Sequence, residues 1–173
     1  MISFLLIRLS IWLALAAWFA GSLCRAMLPN GDTATQGTGH FATYQKCYAW
    51  LWLGSAAATW VHVVASYGLV HGWDHQAVLR QTAEESLQAT GLRAGWGVYV
   101  NFAYASVLLA YSVLMLGYRR RVKILDSTVF WFTAFIVFNA AIVFKSGPLR
   151  VVTSVGFVGL MALMCYRRFC KSK

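Results

Sequence analysis

Apolar residues fall into five long runs, at about 4–23, 47–70, 96–117, 128–144 and 149–166. A helix needs about 20 apolar residues to cross the hydrocarbon core, within a range near 17–25. The second and third runs meet this easily, and the last two sit at its short end. No stretch alternates long enough to build a membrane barrel. The pattern therefore predicts an all-α integral membrane helical bundle, a single domain over 1–173 with about five transmembrane helices.

The connections carry their own signals. Residues 28–43 are polar and rich in Gly and Thr, which reads as a loop. The last two runs are split by Lys145-Ser146-Gly147-Pro148, which reads as a helical hairpin: Gly allows a left-handed cap and Pro starts the next helix. The connection 71–95 is the longest. In it Leu79, Ala83 and Leu87 recur at i+4 beside a polar stripe of Gln76, Arg80, Glu84 and Gln88. That spacing predicts a short amphipathic helix over 74–90 between the second and third spans, with Gly72 ending the preceding helix and Asp74 as its N-cap.

Charge sets an orientation. With five spans, one face holds Arg25, Lys46, Arg119, Arg120, Arg121, Lys123, Arg167, Arg168, Lys171 and Lys173. The other holds Arg8, Arg80, Arg93, Lys145 and Arg150. Bases are retained on the cytoplasmic side, so the N-terminus is expected outside and the C-terminus in the cytoplasm. The first run could instead be a secretory signal, with Arg8 before apolar residues and small residues near Ala20–Ser22. The apolar stretch before Arg8 favours a retained helix.

Composition agrees with a membrane address. Of 173 residues 12% are charged, about half the fraction of a soluble domain. The net charge of +10 could suggest nucleic acid, but the bases sit beside apolar runs, so a lipid bilayer is the expected partner and nucleic acid is not. Arg119, Arg120, Arg121 and Lys123 read as an orientation signal that also binds anionic lipid. Cys24, Cys47, Cys165 and Cys170 form no CxxC pair and no zinc spacing.

Candidate chemistry follows from depth. Polar groups inside a membrane are costly and face the bundle interior or a cavity. His62 lies about eight residues below the outer end of its helix, roughly 12 Å down. Asn101 and Asn139 also fall in the outer half, with His71, Asp74, His75, Lys145 and Arg150 above them. The inner half shows only hydroxyls such as Ser112. Gly54, Ala58, His62 and Ser66 recur at i+4, a small-residue stripe that predicts an inward His62 hydrogen-bonded to Asn101, Asn139, Tyr99 or Tyr104.

Two readings of these histidines stand. His62 can be a core residue joining helices. Alternatively, His62, His71 and His75, with Asp74, can hold a metal or a haem in a redox protein. His71 and His75 stand at i,i+4 but lack the Glu of a zincin. Bis-histidine haem would need a second inward histidine, and a site shared with His62 needs the chain to bend at Gly72. No phosphate-binding loop or Ser–His–Asp arrangement is present, so no catalytic residue is assigned. No internal inverted repeat marks a transporter, which ranks last.

Two stretches carry a resemblance. One runs from Val61-His62-Val63 through His71-Gly72-Trp73-Asp74-His75-Gln76-Ala77 and Thr82-Ala83-Glu84 to Gly95-Trp96-Gly97-Val98-Tyr99-Val100-Asn101. The other is Phe138-Asn139-Ala140-Ala141-Ile142-Val143-Phe144 with Gly147-Pro148-Leu149-Arg150. Over about residues 48–152 the chain resembles a family of small bacterial multi-pass membrane proteins, mainly of planctomycetes. The resemblance implies a bacterial inner-membrane address and no reaction. The expected function is a structural or accessory multi-pass protein, working beside other membrane subunits, with a His/Asn polar cluster at its periplasmic end.

Overall fold

The computed structural model describes residues 2–28, 39–118, 122–143 and 147–170. Among these every regular element is a helix and there is no strand. Helix α1 spans Ile2–Met27, α2 Gly39–Ala65, α3 His75–Thr90, α4 Gly97–Tyr118, α5 Lys123–Phe138 and α6 Pro148–Cys170. One π turn, Ser66–Val70, prolongs α2 and another, Asn139–Val143, prolongs α5. Five helices are long and apolar enough to cross a membrane, so the chain is an all-α helical bundle of the multi-pass membrane type.

Two boundaries differ from the expectation. Helix α2 begins at Gly39, so residues 39–43 are not loop. No Gly or Pro interrupts 40–46, and the helix continues through polar residues that hydropathy alone assigns to a connection. Helix α5 begins at Lys123, five residues before the apolar run, because a charged residue on its first turns is buried rather than solvated. Arg119, Arg120, Arg121 and Lys145 lie outside the described residues. Lys123 is exposed at the start of α5.

The punctuation of the 71–95 connection follows its residues. Gly72 at φ +54 and Trp73 at φ +65 reverse the chain after the π turn, and the Trp73 N–H closes it on the Tyr67 carbonyl at 3.0 Å. Asp74 caps α3, accepting from the backbone N–H of Gln76 and Ala77. Gly91, at φ +76, ends it. Helix α3 rests on the entry to α4, where a Cβ on Gly95 would stand 2.9 Å from the Leu79 carbonyl oxygen.

Helices α1 and α2 pack as an antiparallel pair. The seam runs from His62 on the Ile7 carbonyl through Ser55 on the Ala14 carbonyl to Trp52 on Gly21. The inward face of α2 carries Tyr48, Trp52, Ser55, Ala56 and Thr59. This corrects the expected small-residue face, because Gly54 points outward with nothing near it. At the centre Trp18 is fully buried. Its ring lies against Trp52 of α2, Phe130 of α5 and Phe157 of α6, and its indole N–H donates to Thr133 at 3.2 Å. Helix α6 is peripheral. Val151, Val152, Val155 and Val158 face outward, while Arg167 donates to the Ala26 carbonyl at the end of α1.

Gly21 is required by this packing. A Cβ there would stand 2.4 Å from Cδ1 of Trp52, a ring fully buried between Trp18, Tyr48 and Tyr111. Gly21→Ala is expected to cost about 1–3 kcal/mol by overpacking. Detergent-resistance or thermal unfolding measures it, and an unchanged midpoint would show that the seam can open.

Candidate functional site

The strongest polar site is one that depth reasoning placed nowhere. Asp126, on the first turns of α5, is fully buried inside the span. Arg25, in the last turn of α1, donates to its Oδ2 through Nε at 2.9 Å, with Nη2 at 2.8 Å. The Tyr48 hydroxyl of α2 donates to Oδ1 at 2.9 Å, and the Tyr111 hydroxyl of α4 donates to the same oxygen at 2.8 Å. Four helices thus meet on one carboxylate. The expectation that the half of the bundle around Ser112 holds only hydroxyls is corrected by this group.

Local structure explains why the charges sit there. Asp126 begins the inward stripe of α5, followed by Val129, Phe130, Thr133, Ala134 and Val137. Arg25 continues the inward stripe of α1 after Ala14, Trp18, Gly21 and Ser22. A helix favours negative charge at its N-terminal end and positive charge at its C-terminal end. Each member of the pair occupies the end that suits it. The Arg25 guanidinium also lies 4.1 Å above the Phe130 ring, a cation–π contact that covers its outer face.

The arrangement is chemically closed. An ionised carboxylate offers about four lone-pair directions, and two donors occupy each oxygen here. The Arg25 side chain is 10% exposed and that of Asp126 0%. Charge-assisted hydrogen bonds of this kind are strong when water is excluded. What the site does chemically is hold α1, α2, α4 and α5 in one register.

The sequence-predicted residues go elsewhere. His62 is half-buried, with Nδ1 3.0 Å from the Ile7 carbonyl and 3.4 Å from Ser10 Oγ, both on α1. Asn139 opens the π turn of α5 and donates to the Phe135 carbonyl of its own helix at 2.7 Å. Asn101 faces outward. The described contacts send the three in different directions. Tyr104 is buried in the core cluster.

His75 and Tyr99 do meet. The Tyr67 hydroxyl lies 3.1 Å from His75 Nδ1, and the Tyr99 hydroxyl 3.1 Å from Nε2. These contacts join the π turn of α2 to α3 and α4 at the end of the bundle that carries α3. One ring nitrogen donates and the other accepts in neutral histidine, so both nitrogens are engaged by protein hydroxyls. His71, half-buried, ends the π turn. Asp74 serves as the cap, with Arg80 3.9 Å away. Among the described residues no three His, Cys, Asp or Glu side chains gather as a metal-binding group.

The Tyr67–His75–Tyr99 cluster is exposed, so His75→Ala is expected to cost about 1 kcal/mol or less in global stability. It should speed amide exchange across α3. A loss of the whole bundle would show that α3 supports the spans.

Comparison with known proteins finds no match: no family model, no curated protein and no solved structure. The resemblance to small bacterial membrane proteins therefore gains no named family.

Proposed function

We propose that this chain is a structural or accessory component of a bacterial inner membrane, assembled with other integral membrane subunits. Its N-terminus lies outside and its C-terminus in the cytoplasm. The Arg25–Asp126 cluster then sits at the cytoplasmic end and the Tyr67–His75–Tyr99 cluster at the periplasmic end. Ten of the fifteen bases on the face that carries Arg25, Lys123 and Arg167 support this orientation.

One observation carries the reading. The interior charge of Asp126 is taken up by four donors from three neighbouring helices. An ionisable residue in a membrane is a functional candidate by default. A carboxylate with every lone pair engaged by its own bundle is built for holding helices, and a substrate, ion or proton carrier would have to displace one of those donors first.

Extraction from native membranes in a mild detergent tests the role. The accessory reading expects stoichiometric co-purification with other integral membrane chains. A chain recovered alone contradicts it. The orientation has its own test. Gln88→Cys should react with a membrane-impermeant maleimide in intact cells, and Arg121→Cys only after permeabilisation. The reverse pattern would turn the bundle over.

A further inference from the structure

The antiparallel seam of α1 and α2 has a readable register. Near its inner end Gly21 lies against Leu51: a Cβ at position 21 would stand 3.3 Å from Leu51 Cβ. A disulfide needs facing Cβ atoms about 3.5–4.5 Å apart, so the two backbones approach closely enough here for one. Three residues on from Gly21 is Cys24, and four back from Leu51 is Cys47. Steps of three and four return to the same helix face, so the next layer of the seam pairs two cysteines.

Other observations agree. Cys24 is half-buried against the core cluster, and Cys47 is exposed. Both are free thiols. Each directly precedes a residue of the carboxylate cluster, Arg25 in one helix and Tyr48 in the other.

We propose that Cys24 and Cys47 form a reversible dithiol–disulfide pair that fastens the α1–α2 hairpin beside the Asp126 cluster, with a small-molecule disulfide as oxidant. The exposed Cys47 reacts first. Its thiolate attacks one sulfur of the small disulfide, a mixed disulfide forms, and one small thiol leaves with the proton Cys47 gave up. The Cys24 sulfur then attacks that of Cys47, the internal S–S bond forms, and the second small thiol leaves with the Cys24 proton. Two protein thiols are oxidised and one small disulfide is reduced to two thiols. The pairing rests on the α1–α2 register and is independent of which way the bundle faces.

The test uses the full chain with Cys165→Ala and Cys170→Ala, in lipid nanodiscs, treated with oxidised glutathione and then N-ethylmaleimide. The expected result is loss of both alkylatable thiols without a glutathione adduct. The intact mass falls by two hydrogens, one peptide links Cys24 to Cys47, and dithiothreitol reverses the change. The oxidised form should unfold at a higher temperature than the reduced form. In a further Cys24→Ser variant the glutathione adduct should stay trapped on Cys47. A persistent adduct on Cys47 beside an alkylatable Cys24, a link between two chains, or two unreacted thiols would each overturn the proposal. Peptide mapping of the unsubstituted chain decides the matter if the alanine variants do not fold.

Discussion

Asp126→Ala should lower the stability of the bundle by about 3–5 kcal/mol, the cost of leaving one partner of a buried ion pair uncompensated. Three groups lose their acceptor at once: the Arg25 guanidinium and the Tyr48 and Tyr111 hydroxyls. Arg25 is at the edge of the bundle, with a side chain 10% exposed, so it can partly recover by turning outward. The tyrosines cannot, because both are buried, with relative exposures of 0% and 4%. Asp126→Asn should be nearly as harmful. The neutral amide leaves the buried Arg25 guanidinium without its counter-charge. Unfolding by denaturing detergent, followed by helicity or a steric trap, measures both variants. Near-normal stability would mean that the four helices hold their register without the carboxylate.

Trp18→Ala should be comparably costly, about 3–5 kcal/mol. In a bilayer the loss is one of packing, since lipid tails give helices no hydrophobic reason to associate. Trp18 is where that packing converges. Its ring centroid lies 5.1 Å from that of Phe19, 5.7 Å from Phe157, 6.0 Å from Phe130 and 6.4 Å from Trp52. Truncation would empty the junction of α1, α2, α5 and α6 and leave the Thr133 hydroxyl without its indole donor. Trp18→Phe keeps part of the ring and should cost less. Equal tolerance of both replacements would show that α6 and α5 are held by something other than this aromatic stack.

The helices were legible in the sequence because lipid imposes a length and a hydropathy on each span. The turn from Gly72 to Asp74 was legible too, since a left-handed glycine and a capping aspartate act locally. The carboxylate cluster was not. Hydropathy assigned Asp126 to a connection because a charge beside an apolar run looks solvated. Its burial depends on Arg25, a hundred residues away in sequence, and on two tyrosines from other helices. One signal was available: Asp126 is in helical phase with Val129, Phe130 and Thr133, and Arg25 is in phase with Trp18 and Ser22. Extending each stripe one turn past the apolar run brings the two charges to the same end of the bundle.

The histidine reading went the other way. Depth marks His62 as a residue needing a partner, but sequence does not say which helix supplies it. The partners described are on α1, through the Ile7 carbonyl and Ser10. The i+4 spacing of Gly54, Ala58, His62 and Ser66 predicts a small-residue packing face on α2. The face that packs instead carries aromatics and hydroxyls, Tyr48, Trp52, Ser55 and Thr59, because the close approach is provided by Gly21 on the opposing helix.

A double-mutant cycle at Arg25 and Asp126 reads the coupling within the carboxylate cluster directly. If the pair is a closed clamp, Arg25→Ala with Asp126→Ala removes both charges together and leaves no buried charge unpaired. The double variant should then be more stable than the sum of the single losses predicts, by about 0.5–3 kcal/mol. Strictly additive losses would show that the two side chains do not act on one another, and the account of a bundle fastened through Asp126 would be wrong.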